Sequence, residues 1–324
     1  MSKPELSIIV PMHGEDIAFL EATIESVKQT VDVSYEIIAV DDFSHTPIKI
    51  DGIKMLRHKK HKGVGQAFRT GIAEAQSDNL FLMGSDIRFI PNNWASRTIK
   101  EIKAHPKALN ALACIGINKD DMDIDSRRSR SKRNSASILV FHDHKAHPKK
   151  PLNFRNILEA QWLPRRKDAP NESYEVPCIL GAAYGASKKW CEEIDIWFLH
   201  RSWGTLEPMC SLQSWLMGGS CRTMPDIEIG HIFKSHGTHQ TPNYHLIYNK
   251  ILVATLLFEE HDAQRLIDFL GDNPQVARGK KMFEEVKEEV LKKKDEYAER
   301  MTMTPSEFCN KFEIDFREEV VTLQ

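Results

Sequence analysis

The chain has 324 residues, with 41% hydrophobic and 28% charged residues and a formal net charge of −2. That is the composition of an ordinary globular protein with room for one large domain, or one domain and an appendage. It excludes a chain drawn as a whole to nucleic acid or membrane, so any such attraction has to come from a local patch. The opening residues lack the charged region and long apolar run of a secretory signal, and no segment is long and uncharged enough to span a bilayer. The cysteines, Cys114, Cys178, Cys191, Cys210, Cys221 and Cys309, form no CxxC pair and no zinc-finger spacing. The expectation is a cytoplasmic protein with reduced thiols.

In chain order, Leu6 to Val10 is a short apolar run ended by Pro11, suited to a buried strand of a parallel sheet. Residues 16–30 follow with a helical stripe of Ile17, Leu20, Ile24 and Val27. Tyr35 to Val40 reads as a second buried strand, with Asp41 and Asp42 at its end. Residues 63–76 read as helix, and Asn79 to Met83 as a strand that runs into Gly84-Ser85-Asp86. Strands alternating with helices indicate an α/β fold with a mainly parallel sheet, in which ligands bind beyond the carboxyl ends of the strands. The polar residues just named fall at those ends.

Residues 110–117 read as a further strand, and Asn118 to Ser137 as a polar loop centred on the basic run Ser126 to Arg133. Strand character resumes over Ser137 to Phe141, and residues 142–172 read as a surface excursion. Buried segments return at Pro177 to Ser187 and Pro225 to Phe233. From about Tyr244 the pattern is helical, with Phe283, Val286, Val290 and Leu291 as a narrow apolar stripe in a highly charged helix. The expected division is a catalytic domain over residues 1–245 and a helical extension packed on it over 246–324.

Several stretches carry a family resemblance. Ile8-Ile-Val-Pro-Met-His-Gly-Glu15 resembles the opening strand and turn of family 2 glycosyltransferases, with His13 at a tyrosine position and Gly14 at an asparagine position. Val40-Asp-Asp-Phe-Ser44 resembles that family's "VDDGS", and Lys62 to Gly71 its "NxGxxxARNxG". Ile179 to Ser187, Trp203 to Trp215 and Ile229 to Phe233 are similar to the catalytic region of polypeptide N-acetylgalactosaminyltransferases. The resemblance covers roughly residues 5–260, and the ordered series is more specific than any single motif. It implies a GT-A fold, a nucleotide-sugar donor and a divalent metal, Mn²⁺ or Mg²⁺.

The site residues follow from the same motifs. Asp41 and Asp42 suit hydrogen bonds from a base or ribose, or equally a structural turn after a strand. Arg69 suits a phosphate, a carboxylate such as Asp42, or solvent. Pro11, His13 and Glu15 form the floor of the same donor pocket. A diphosphate leaving group calls for a hard cation, which the resemblance places on a DxD turn. Here that turn is Gly84-Ser85-Asp86: Gly84 replaces the first acid, and Asp86 keeps the position that binds metal most directly. His231 of Gly230-His-Ile-Phe233 completes the metal site by the same resemblance, with His236 and His239 as weaker candidates. Lys234 to Tyr244 suits a lid over the donor.

Glu207 falls where family 2 enzymes carry an acidic pair, Leu206 replacing its partner. It suits a general base for the acceptor hydroxyl, or a helix-start glutamate complementing the dipole. Trp203 suits the wall of a sugar or acceptor pocket. Family 2 implies inversion and the N-acetylgalactosaminyltransferase likeness implies retention, so stereochemistry stays open. The acceptor is open among glycan, protein and DNA. Basic stretches at Arg127 to Arg133, Lys149-Lys150 and Arg165-Arg166-Lys167 leave a DNA-modifying glycosyltransferase as one alternative, although they lack aromatics to stack bases. A degenerate binding domain without catalysis is another. A nucleotidyltransferase would need a glycine-rich phosphate loop with a lysine near the start, which Pro11 to Glu15 is not.

Overall fold

The computed structural model describes residues 3–14, 17–117, 133–140, 158–164, 170–232 and 241–314, and of 133–140 and 161–164 only the backbone. Four parallel strands form one side of the sheet: β3 (Lys54–Arg57), β2 (Tyr35–Asp41), β1 (Leu6–Met12) and β4 (Asn79–Met83). Every residue of β1 is buried, as its unbroken apolar run requires of a strand covered on both faces. The strand does not end at Pro11 as the sequence suggests. It pairs with β2 through Met12↔Asp41, while its pairing with β4 stops at Ile9, so the missing proline N–H interrupts no ladder on that side.

Next to β4 comes β10 (Ala183–Ser187), antiparallel to both β4 and β6 (Ala108–Ile117). Beyond β6 lies β11 (Ser220–Ile232), parallel to it, and the two-residue β5 (Ile87–Arg88) pairs antiparallel with β11. The short β9 (Tyr174–Glu175) also pairs with β11. The stretch read as a surface excursion contains β8 (Glu159–Pro164), which pairs with β7 (Arg133–Val140) and so extends the sheet from β6. Its His, Lys and Pro neighbours masked that strand in the sequence.

Helices cover the sheet. In α1 (Ile17–Thr30), Leu20, Thr23, Ile24 and Val27 are buried, whereas Ile17, the first residue of the expected stripe, is exposed. α2 (Val64–Glu74) packs on β1 and β2, and α3 (Trp94–Ala104) packs on β10 and β6. α4 (Lys188–Glu193) is capped by the Ser187 hydroxyl. α5 (Leu206–Leu216) buries all but one of its residues, and α6 (Asn243–Leu257) is buried on almost every face, so both are interior helices.

Four further helices, α7 (Glu260–Asp268), α8 (Pro274–Glu284), α9 (Lys287–Ala298) and α10 (Pro305–Lys311), wrap the outside. The charged stretch read as one striped helix breaks at Val286 into α8 and α9; Phe283 and Val290 are buried and Leu291 is exposed. One apolar cluster runs from Leu6 to Cys309, so the extension shares the core of the sheet. The expected boundary after residue 245 falls inside the first turn of α6. The attachment is specific. The buried Tyr297 hydroxyl donates to Ile194 O at 2.6 Å and accepts from Gln213 Nε2 of α5 at 3.0 Å.

Candidate active site

Chain connectivity gathers the predicted polar residues at the carboxyl ends of β1, β2 and β4. At β4 the chain turns through Gly84-Ser85-Asp86 into β5, whose pairing Gly230↔Arg88 and His231↔Ile87 lays Asp86 against β11. Ile232 N donates to Asp86 O at 3.1 Å and fixes that register. His231 Nε2 then stands 3.6 Å from Asp86 Oδ1, with both side chains partly open to solvent. Ser85 is buried, and its carbonyl accepts from Thr23 Oγ1 at 2.6 Å. Behind Asp86 lies the buried Arg88 guanidinium, donating to the same Thr23 hydroxyl at 2.7 Å.

Two donors on one octahedral ion lie about 3 Å apart at bond lengths near 2.1 Å, so a small closure of the 3.6 Å gap would let Asp86 and His231 share a cation. Among the described residues no group of three or more His, Cys, Asp or Glu is placed to hold a metal. One carboxylate with one imidazole suits a divalent cation that completes its shell with substrate phosphates and water, the imidazole favouring a transition ion over Mg²⁺. Gly84 is tied to this pair. A β-carbon at Gly84 would stand 2.9 Å from Asp86 Oδ1, so the Asp86 carboxylate leans into space a side chain at 84 would need.

The two aspartates after β2 turn inward. Asp41 accepts from Ser44 N at 2.8 Å, from Ile48 N at 3.4 Å and from the Arg57 guanidinium. Burial pushes its pKa up, but these hydrogen bonds outweigh burial and hold it below the usual value. Asp42 Oδ1 accepts from His58 Nδ1 at 2.6 Å and Lys62 N at 2.9 Å, and Oδ2 from Gly63 N at 2.6 Å. His61 Nε2 is 3.3 Å from Oδ2. At 1% and 2% exposure, both aspartates are occupied by protein donors: Asp41 shapes the segment that follows β2, and Asp42 the turn from β3 to α2. What faces the site instead is His13, which donates from Nδ1 to Asp42 O at 2.7 Å and packs its ring 4.3 Å from that of His61. Pro11 is buried in β1 below it.

Arg69 does not meet Asp42. Its guanidinium donates to Asp195 Oδ1 at 2.5 Å and Ile196 O at 2.8 Å, which locks α2 to the segment after α4. From there the chain reaches Ser202, which bridges Gly63, so Trp203 stands beside the Asp42 turn with 63% of its surface exposed. Ser202 and Thr205 hold φ of 54° and 61°, a left-handed backbone that is strained for a β-branched threonine. That strained turn delivers Glu207 in the first turn of α5. The Glu207 carboxyl presses on Gly181, where a β-carbon would stand 1.7 Å from Oε1. Burial raises its pKa to about 7, against a smaller lowering by a backbone hydrogen bond, and Glu159 adds to the rise. Glu159 is itself paired at 2.5 Å with the buried Lys250 of α6.

Glu15 and residues 233–240, with His236, His239 and most of the expected lid, lie outside the described residues. So do the side chains of Arg127 to Arg133, Lys149-Lys150 and Arg165-Arg166-Lys167. Sequence reasoning missed His58, His61, Gly181 and Lys250. The dense His58-Lys-Lys-His61-Lys62 run was the available signal for the first two; nothing local marks the others.

A family profile described as "Glycosyl transferase family 2" matches residues 7–171, half of the chain. The chain belongs to glycosyl transferase family 2. Rat polypeptide N-acetylgalactosaminyltransferase 10 is 24% identical over 272 residues, covering 80% of this chain and 43% of that protein. Human polypeptide N-acetylgalactosaminyltransferase 14 is 25% identical over 249 residues, 74% of this chain and 43% of that one. This family 2 chain thus spans less than half the length of either relative. Among solved structures, GalNAc-T7 with UDP, GalNAc and Mn²⁺ superposes with a TM-score of 0.63 at 16% identity, covering 87% of this chain and 55% of that one. S. aureus TarS 1-349 with UDP-GlcNAc gives 0.50 at 12% identity over 82% and 70%. These likenesses establish the GT-A fold that the motifs implied. Among the described residues no helix is long and apolar enough to cross a membrane.

Proposed function

We propose that this family 2 protein transfers a sugar from a nucleoside diphosphate sugar, with uridine as the nucleoside, to an acceptor hydroxyl. The observation that carries the reading is the apposition of Asp86 Oδ1 and His231 Nε2 at 3.6 Å, built by the β5–β11 pairing beyond the carboxyl ends of the strands. GalNAc-T7, which shares the fold, holds UDP and Mn²⁺ together, and this lends Mn²⁺ or Mg²⁺ to the proposal. When bound, such an ion would neutralise charge on a departing diphosphate.

The chain's own residues do the rest. His13 and the Asp42-held turn frame the nucleoside side of the site. Trp203 offers an exposed aromatic wall next to Glu207. A carboxyl with a pKa of about 7 is matched to general-base work near neutral pH, where it is both available and a strong enough acceptor of the hydroxyl proton. Six cysteines, all free and buried, support a reducing compartment such as the cytoplasm.

A donor screen by calorimetry with Mn²⁺, followed by sugar release, tests this. UDP should bind more tightly than GDP or CDP, and the UDP-sugar should turn over. A clear preference for guanosine or cytidine overturns the nucleoside assignment. Tight UDP-sugar binding with no turnover, given any acceptor or water, overturns catalysis and leaves a binding domain.

A further inference from the structure

The helical extension carries a polar constellation that sugar transfer leaves unused. Tyr244 and Tyr248 lie one turn apart on α6 and share a face. A guanidinium covers each ring: Arg278 lies 3.7 Å from the Tyr244 centroid and Arg201 lies 4.7 Å from that of Tyr248. Both are held in place. The fully buried Asn249 grips the Arg201 backbone from two sides, accepting from its N–H at 3.0 Å and donating to its carbonyl at 2.8 Å. α8 comes so close to α6 at Gly279 that a β-carbon there would stand 2.6 Å from Ile247 Cγ2 and 3.0 Å from Tyr244 O. That approach sets Arg278 over its tyrosine.

Two histidines join them. The His245 ring packs 4.6 Å from that of Tyr244. Burial chiefly, then the charges of His61, Arg201 and Arg278, bring the His245 pKa down to about 4. His61 belongs to the exposed stretch Lys59-Lys-His-Lys62. With both imidazole pKa values lowered, the positive charge here comes from Arg201, Arg278 and the exposed Lys59, Lys60 and Lys62, which outnumber the acids nearby. Glu285 is an exposed partner 3.7 Å from Arg201, Glu289 acts on Tyr248, and Asp42 is committed to His58, Lys62 N and Gly63 N. Crowded like charge on one face raises its potential, and a bound anion relieves it. A guanidinium stacked on a ring keeps its in-plane N–H fork free for a tetrahedral oxyanion. The two tyrosines are separated by about 6 Å along the helix, which lets the two forks bracket one such group.

We propose that this face of α6 is a phosphate receptor for the acceptor: a phosphate ester docks between Arg201 and Arg278, with His245 beside it. The acceptor hydroxyl then approaches Glu207 past Trp203, two residues along from Arg201. The word acceptor rests on the sugar-transfer reading; the anion site does not. The site is distinct from that of the donor diphosphate. Asp86 follows β4 and the turn bearing His61 is held by Asp42 at the end of β2, with β1 between, so about 10 Å of sheet separates them.

The test titrates the full chain with inorganic phosphate, following the imidazole resonances of His245, alone and with saturating UDP and Mg²⁺. The expected result is a saturable shift that UDP and Mg²⁺ leave in place. Arg278→Ala and Arg201→Gln should each weaken phosphate by ~10-fold or more, the worth of a charge-assisted hydrogen bond, with UDP affinity unchanged. Competition between UDP and phosphate assigns the cluster to the donor and overturns the proposal. So does the absence of a saturable shift, or a shift that survives both substitutions. If UDP fails to bind at all, the sugar-transfer reading falls and the phosphate result still stands or falls alone.

Discussion

The Glu207 carboxyl rests on Gly181 so closely that a β-carbon at 181 would lie 1.7 Å from Oε1. The base candidate is therefore positioned by a missing side chain. Gly181→Ala should push the carboxyl out of place while leaving donor contacts alone. Steady-state kinetics should show kcat reduced by ~10-fold or more with the donor KM little changed, the pattern of an interaction that matters in the transition state. A fall confined to KM would place Glu207 in substrate binding.

Glu207→Gln separates catalysis from stability. The rate of transfer should drop ~10²–10⁴-fold with donor affinity retained. The parent enzyme should show kcat/KM rising with pH to a plateau above about 7, as the carboxyl ionises. The stability effect has the opposite sign. Burial raises the folded pKa from 4.5 to about 7, so the protonated form is the one the fold favours. Its contribution is complete below pH 4.5 and is lost as pH rises through about 7, by up to about 3 kcal/mol. The glutamine variant should therefore melt higher than the parent at pH 8 and similarly at pH 4. Unchanged transfer with a slightly lower melting temperature would make Glu207 a helix-start residue only.

Asp86→Asn and His231→Ala should each reduce Mn²⁺-dependent UDP affinity by at least ~10-fold, and chelation should abolish it in the parent. Gly84→Ala removes no ligand yet should weaken the same affinity several-fold, because its methyl meets Asp86 Oδ1 at 2.9 Å. Calorimetry with and without Mn²⁺ reads all three. Metal-independent UDP binding in the parent would dismiss the cation site.

Asp42→Ala should act on stability first. It strands the N–H groups of Lys62 and Gly63 and leaves His58 without its carboxylate. Chemical denaturation should show a loss of ~2–4 kcal/mol. If stability holds and only UDP binding is lost, the aspartate contacts the donor directly.

How these residues divide between legible and hidden follows from where their partners lie. The β1 and β2 strands could be read because a continuous apolar run has one good home, the middle of a parallel sheet. Asp86 and His231 could be named from motifs, but only the β5–β11 pairing explains why they meet. The inward turn of Asp42 was invisible because two of its partners are backbone N–H groups, which every residue but proline has. Arg69 is open among several partners in the sequence for a related reason: the carboxylate that it meets, Asp195, lies 126 residues away. The strand at 159–164 was hidden by polar surroundings and shows only as a partner of β7.

The Tyr297 phenol joins Ile194 and Gln213, and Asp195 beside it is shared by Arg69 and Lys293. The outer helices therefore buttress the helix that presents Glu207, much as a keystone course steadies an arch. Trimming the chain back to the sheet would leave every recognisable motif in the sequence and remove the brace behind Glu207. The folded unit of this molecule is larger than the part that its motifs mark.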